Sequence, residues 1–209
     1  TRTIIAATTA PCAEVAVGDV DDDGDLDLAV ACRTSGLSVF VNPGAIAGTW
    51  TEFVLDTGAG GSNTTSVDLF DVDRDGDDDV VSYRADSASV VIHEASGGVV
   101  LSSPTLVPCN VASTTGAKVR GADVDRDGDM DIFVAGLDTG GAVKMLQSVG
   151  NTRLRYVPLT IRQGGASGRP TALAAADVDR DGDDDMLLSI RDDRDVYYLR
   201  SSGTPWWNR

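Results

Sequence analysis

Four segments gather carboxylates at a spacing that suits one kind of chemistry, the chelation of a hard divalent cation. They read Asp19-Val-Asp-Asp-Asp-Gly-Asp-Leu-Asp27, Asp71-Val-Asp-Arg-Asp-Gly-Asp-Asp-Asp79, Asp123-Val-Asp-Arg-Asp-Gly-Asp-Met-Asp131 and Asp177-Val-Asp-Arg-Asp-Gly-Asp-Asp-Asp185. Calcium takes about 6–8 oxygen ligands at roughly 2.3–2.6 Å. Alternating Asp residues in a tight turn direct several carboxylates to one point. Gly at the sixth position, here Gly24, Gly76, Gly128 and Gly182, tolerates the positive φ of a sharp turn. Without a cation the carboxylates of such a loop repel one another, and a bound ion reverses that penalty.

An EF-hand opens in the same way, but it needs a bidentate Glu at position twelve and a helix on each side. Position twelve here is Val30, Ser82, Val134 and Leu188, none of which carries a carboxylate. Position nine is Asp in every copy: Asp27, Asp79, Asp131 and Asp185. The EF-hand and dockerin readings are excluded on those grounds. Asp22, Asp78 and Asp184 fall between ligand positions and are expected to face solvent.

The elements that position these loops repeat with them, at spacings of 52, 52 and 54 residues. An apolar residue stands four positions ahead of each loop: Val15, Val67, Val119 and Leu173. An apolar run follows each loop, as in Leu28-Ala29-Val30 and Ile132-Phe133-Val134. A third strand is expected at 37–41, 89–93, 142–146 and 196–199, and a fourth at 51–55, 105–107 and 156–159. No stretch has a helical period. Each unit is thus four short strands. The last unit stops at Trp206-Trp207-Asn208-Arg209 where its fourth strand should begin, and Thr1–Ala7 has the phase of that missing strand. Closing the last sheet with it, in the same chain or a neighbour, would remove an open sheet edge.

The pattern Asp-x-Asp-x-Asp-Gly-x-x-Asp between strands resembles the FG-GAP or VCBS repeat, the β-propeller blade of integrin α-subunit heads and many secreted bacterial proteins. The likeness covers nearly the whole chain. The Phe-Gly and Gly-Ala-Pro signatures are missing, which places it nearer the VCBS type. The resemblance implies an all-β propeller of four four-stranded blades, over 11–58, 62–110, 114–160, and 168–209 plus 1–9. It also implies that positions one, three, five and nine bind calcium through side chains and position seven through its carbonyl. The four expected sites are then Asp19, Asp21, Asp23, Asp25 and Asp27; Asp71, Asp73, Asp75, Asp77 and Asp79; Asp123, Asp125, Asp127, Asp129 and Asp131; and Asp177, Asp179, Asp181, Asp183 and Asp185.

The loops hold 23 of the 33 acidic residues, so the net charge of −16 reflects local sites. Nucleic acid is excluded as a partner, because neutralising phosphates takes clusters of Lys and Arg that are missing here. No apolar run reaches the length of a membrane span. Cys12 and Cys32 lie about equally far on either side of the first loop. They face each other if that loop joins a hairpin, which allows a disulfide; two buried thiols are the alternative. Asn63-Thr64-Thr65 matches the glycosylation sequon. The chain begins Thr1-Arg2-Thr3 without a Met, which reads as a processed or trimmed product.

No catalytic constellation separates from the loops. The single His93 falls on a third strand and is expected at the surface or an edge. Three functions fit: an extracellular recognition or adhesion module for a protein or glycan ligand, a self-associating subunit of a surface fibre, and a lectin. Trp50 and Trp206-Trp207 sit at equivalent phases ahead of the fourth strand, where they would stack on a sugar or pack against strands.

Overall fold

In the computed structural model of the chain, the described residues are 4–5, 11–44, 48–58, 63–97, 99–100, 103–138, 140–149, 154–163, 168–191 and 194–202. They contain no helix. The first sheet runs in chain order: β1 (Cys12–Gly18), β2 (Asp27–Cys32), β3 (Gly36–Val41) and β4 (Thr51–Asp56). The second comprises β5 (Thr64–Phe70), β6 (Asp79–Arg84), β7 (Ser89–His93) and β10 (Thr105–Pro108), with a ribbon of β8 (Ala95–Ser96) and β9 (Val99–Val100) inserted before the last strand. The third is β11 (Ala117–Ala122), β12 (Asp131–Gly136), β13 (Val143–Ser148) and β14 (Tyr156–Arg162). The fourth has three strands among the described residues: β15 (Pro170–Ala176), β16 (Asp185–Ile190) and β17 (Asp195–Leu199). Every pairing is antiparallel. The expected N-terminal strand and Trp206-Trp207 lie outside the described residues, apart from Ile4 and Ile5.

The hydrophobic core lies between sheets. Ala29, Leu37 and Val39 of the first sheet meet Val67 and Leu69 of the second. Tyr83, Val90 and Ile92 of the second meet Val119, Ile132 and Leu146 of the third. Phe133, Val143 and Met145 of the third meet Leu173, Met186 and Leu188 of the fourth. The first strands therefore stack in sequence, β1 on β5, β5 on β11 and β11 on β15. Small residues allow the close approach: a Cβ on Gly18 would stand 2.8 Å from the Leu69 Cβ. No comparable packing joins β15 back to β1 among the described residues, so the stack is open.

A polar cluster ties three sheets together at those inner strands. The Glu14 carboxylate on β1 accepts from Lys118 Nζ at 2.9 Å and Arg120 Nη2 at 2.8 Å, both on β11, and from the Ser66 hydroxyl on β5. Burial works to raise the Glu14 pKa, but these donors outweigh it and hold the group below its ordinary value.

His93 is buried, contrary to the surface position expected from the sequence. It pairs with Val80 as Phe40 pairs with Leu28 and Leu146 with Ile132, so it occupies a core-facing register position. There it borders a cavity of about 120 Å³ that Thr64, Ser82 and Arg84 also line.

Cys12 and Cys32 face each other across β1 and β2 and are joined by a disulfide. Cys109 is buried, and its thiol donates to the Ala88 carbonyl oxygen. The bridge encloses the first Asp loop at a sequence separation of 20. Replacing both bridged cysteines with serine is expected to cost about 3 kcal/mol by loop-closure entropy. A lower urea midpoint at unchanged slope would register it.

Candidate metal centres

Each Asp loop joins the first two strands of its sheet, and its shape follows from two residues. Position four is left-handed in every copy, with φ of 53° at Asp22, 64° at Arg74, 61° at Arg126 and 63° at Arg180. Position six is left-handed too, with φ between 82° and 102° at the four glycines. A Cβ on Gly24 or Gly76 would meet nothing within 4 Å, so backbone conformation and not space demands glycine there.

Position one caps the turn. Asp19 Oδ2 accepts from Gly24 N at 3.0 Å, and Asp71, Asp123 and Asp177 accept from Gly76, Gly128 and Gly182 in the same way. Position five folds back on position seven, as when Asp23 Oδ1 accepts from Asp25 N at 2.8 Å. Position nine is buried in all four loops and acts as a latch. Asp79 accepts from Val72 N at the loop's start and from Ala95 N beyond the third strand, each at 2.7 Å. Asp27 does the same with Val20 N and Asn42 N, and Asp185 with Val178 N and Ser201 N. Asp131 accepts from Ser148 N at 2.8 Å.

Oxygens of Asp19, Asp21 and Asp27 lie within 4.8 Å of one another, as do those of Asp71, Asp73 and Asp79 and those of Asp177, Asp179 and Asp185. In the third loop the converging set is Asp123, Asp125 and Asp127. Positions one and three thus meet in every copy, joined by nine or five. The position-seven side chains of Asp25, Asp77, Asp129 and Asp183 stand outside these groups.

The converging residues include buried oxygens that no hydrogen-bond donor reaches, among them Asp21 Oδ1 and Asp123 Oδ1, and Asp131 Oδ2 beside the third group is another. A buried carboxylate oxygen without a donor is costly, and an ion at the convergence point removes that cost. Burial pushes Asp79 up to about 7 and Asp131 up to about 8, against hydrogen bonds that lower them and with neighbouring Asp charges that raise them further. Asp21 rises for the same first reason, helped by the charges of Asp27 and Asp23. Acceptor-only oxygens in a pocket short of positive charge fit a hard cation. The absence of sulfur or imidazole in these groups fits zinc less well.

The fourth loop differs. Arg200 pairs through Nε with Asp179 and through Nη2 with Asp181 at 3.1 Å, so a side-chain cation already sits on two carboxylates there. Gln147 fills the corresponding place in the third repeat, donating to Asp125 Oδ2 at 3.0 Å. Arg200→Ala is expected to raise the fourth loop's calcium affinity severalfold, read as a change in the weakest step of a calorimetric titration.

Sequence reasoning missed how the loops touch. Asp78 and Asp184 do not face solvent: both are half-buried, and they bridge to the preceding loop. Asp78 accepts from Asp19 N at 3.0 Å while its own N–H donates to the Asp19 carbonyl at 2.9 Å. Asp184 pairs with Asp123 in the same manner. Asp22 is exposed, as expected. Two of the position-four arginines reach the following loop. Arg74 donates to the carbonyls of Asp127 and Gly128 and pairs with Asp129 at 2.7 Å. Arg126 pairs with Asp181 at 2.9 Å and Asp183 at 3.3 Å. Arg at the fourth position of three loops, set against Asp22 in the first, was the available signal.

Of the remaining candidates, Trp50 is half-buried just ahead of β4 and Asn63 is half-buried just ahead of β5.

The fold and the loops together define a repeat protein whose all-β units are each pinned by an acidic turn. Comparison with protein families matches the FG-GAP-like repeat at residues 19–82 and 123–188, and the chain belongs to that family. No curated protein matches the sequence.

Proposed function

We propose that the chain is a non-catalytic, calcium-stabilised propeller-type module that acts outside the cell in recognition or adhesion. The observation that carries the calcium reading is the convergence of carboxylate oxygens in all four loops, some buried and lacking donors. Positions one and three, with five or nine, hold the ion through side chains, and position seven adds its carbonyl. The ions neutralise the loops and fix the turns, which leaves the other surfaces free to bind a protein or glycan. Family membership supports both the repeat architecture and the absence of catalysis. The Cys12–Cys32 disulfide supports an oxidising compartment. No helix among the described residues is long and apolar enough to cross a membrane. Calorimetric titration of the chelated protein tests the reading: four calcium ions per chain are expected, and fewer than two would overturn it.

A further inference from the structure

We infer that the cavity between the first and second repeats is a binding pocket for a neutral, hydroxyl-rich ring, one residue of a sugar. The inference deepens the recognition reading, on which it rests, by giving it a ligand class and a place. It starts from equivalent positions inside the stack. The face that each sheet turns to the preceding one is apolar in the third and fourth repeats. There Val134 pairs with Val119 and Leu188 with Leu173, beside the pairs Ile132–Leu146 and Met186–Leu199. All of these residues belong to the cores shared with the sheet before. In the second repeat the same register places hold Ser82, paired with Val67, and His93, paired with Val80. Arg84 stands where the fourth repeat has the buried Ile190, since each pairs with the first residue of its inner strand.

The polar residues do not fill the contact as valine and leucine do. They border the cavity of about 120 Å³, whose opposite wall is Leu37, Leu55 and Asp56 of the first sheet. Ser82 and His93 are both buried. Thr64 also lines the cavity and is 1% exposed, and its hydroxyl has no hydrogen-bond partner among the described residues. Ser82 Oγ makes one long bond, donating to the Val91 carbonyl at 3.4 Å, which uses its proton and not its lone pairs. Buried polar groups are costly unless they are hydrogen-bonded, and a hydroxylated ligand supplies the bonds.

The lining selects the ligand. Arg84 Nη2 pairs with Asp86 at 3.1 Å, and its Nε stands 4.0 Å from Asp56, so the guanidinium charge is already balanced. That balance favours a neutral ligand over an anion. The wall offers donors and acceptors together, and sugar hydroxyls both donate and accept. Leu37, Leu55 and Pro104 give the apolar side that the C–H face of a sugar ring needs. Size agrees as well. A cavity of about 150 Å³ admits benzene, so this one takes most of a six-membered ring and leaves the rest at its opening. The Asp56 carboxylate is held by the Gly58 N–H, which donates to Oδ1 at 2.9 Å. An open crevice of about 360 Å³ begins at Gly58, bounded by Arg33 and Thr34. A second sugar residue fits there, which gives a glycan terminus a further contact that a free monosaccharide lacks.

The test is an NMR titration of the 209-residue chain in calcium. The probes are glucose, galactose, mannose and N-acetylglucosamine, with lactose, cellobiose and chitobiose as disaccharides. At least one monosaccharide is expected to bind with a millimolar dissociation constant, the range that so few contacts allow. A disaccharide that binds more tightly assigns a glycan terminus, and equal affinities assign a free sugar. Ser82→Val and His93→Leu install the third repeat's residues, Val134 and Leu146. Each is expected to weaken binding by about tenfold or more. Each should also leave the melt unchanged or raise it, because an apolar side chain replaces a buried polar one. No binding of any of these probes overturns the inference, as does binding that survives both substitutions. The calcium count on the same samples separates the two readings. Four ions bound without any sugar remove this ligand class alone, whereas a low count strikes the calcium-stabilised module itself.

Discussion

Chelation with EDTA lowers the melting temperature by about ten degrees or more, the largest effect expected of any solution change. Extracellular calcium sites often have dissociation constants near 10⁻⁴ M, and at about millimolar calcium each such site contributes roughly 1.4 kcal/mol. Four sites give on the order of 5 kcal/mol, comparable to the net stability of a whole domain. For a chain of this length about 1 kcal/mol moves the melt by roughly 2–4 °C. The effect depends on pH with a definite sign. Asp79 and Asp131 in the ion-free fold have pKa values raised to about 7 and about 8. Carboxyls raised by folding stabilise most below their unfolded value, and that contribution is lost as pH rises through the folded one. Melts in EDTA should therefore fall between pH 6 and about 8.5, while calcium, which needs the ionised form, becomes more effective over that range. Scanning calorimetry with and without EDTA across those values checks both parts. An EDTA melt that coincides with the calcium melt would remove calcium from the account of stability.

Asp79→Ala is expected to cost about 2–5 kcal/mol even in EDTA. Its carboxylate accepts from two backbone N–H groups, Val72 and Ala95, and each buried donor left without a partner costs about 1–3 kcal/mol. Asp75→Ala is the control, because Asp75 is exposed and accepts only the nearby Asp77 N–H. It should leave the EDTA stability within about 1 kcal/mol of wild type. Urea titrations of both variants in EDTA decide the matter. Equal small losses would make position nine a ligand and nothing more.

The difference between those two aspartates shows where sequence reasoning stopped. The loops were legible because Asp and Gly recur at fixed offsets, and chelation and left-handed turns need those residue types. Strand positions were legible from apolar runs flanking the loops, and β7 (Ser89–His93) lies where the repeat places it. The latch role of position nine was not legible, since a ligand and a buried hydrogen-bond acceptor are the same letter. His93 was misplaced because its polarity outweighed its register, although Phe40 and Leu146 mark that place as core. Asp78 and Asp184 were misplaced because a loop taken alone gives no view of its neighbour. The β8–β9 ribbon escaped notice because two-residue strands carry no periodicity. Sheet-to-sheet packing is likewise a property of stacked units, and no single repeat shows whether the stack closes.

The arginines at position four have one more consequence. Arg74 contacts the loop that follows its own, and so does Arg126, so the second, third and fourth loops are wired in series. Energetic coupling between sites is reciprocal, so an event at one loop alters the next and is altered by it. The first loop joins the series differently, through the backbone bonds of Asp78. The loops then form a nearest-neighbour series, joined by Asp78 between the first two, by Arg74 between the second and third, and by Arg126 with Asp184 between the third and fourth. Loss of Arg74 would therefore cut the series more completely than loss of Arg126, because Asp184 still joins the third loop to the fourth.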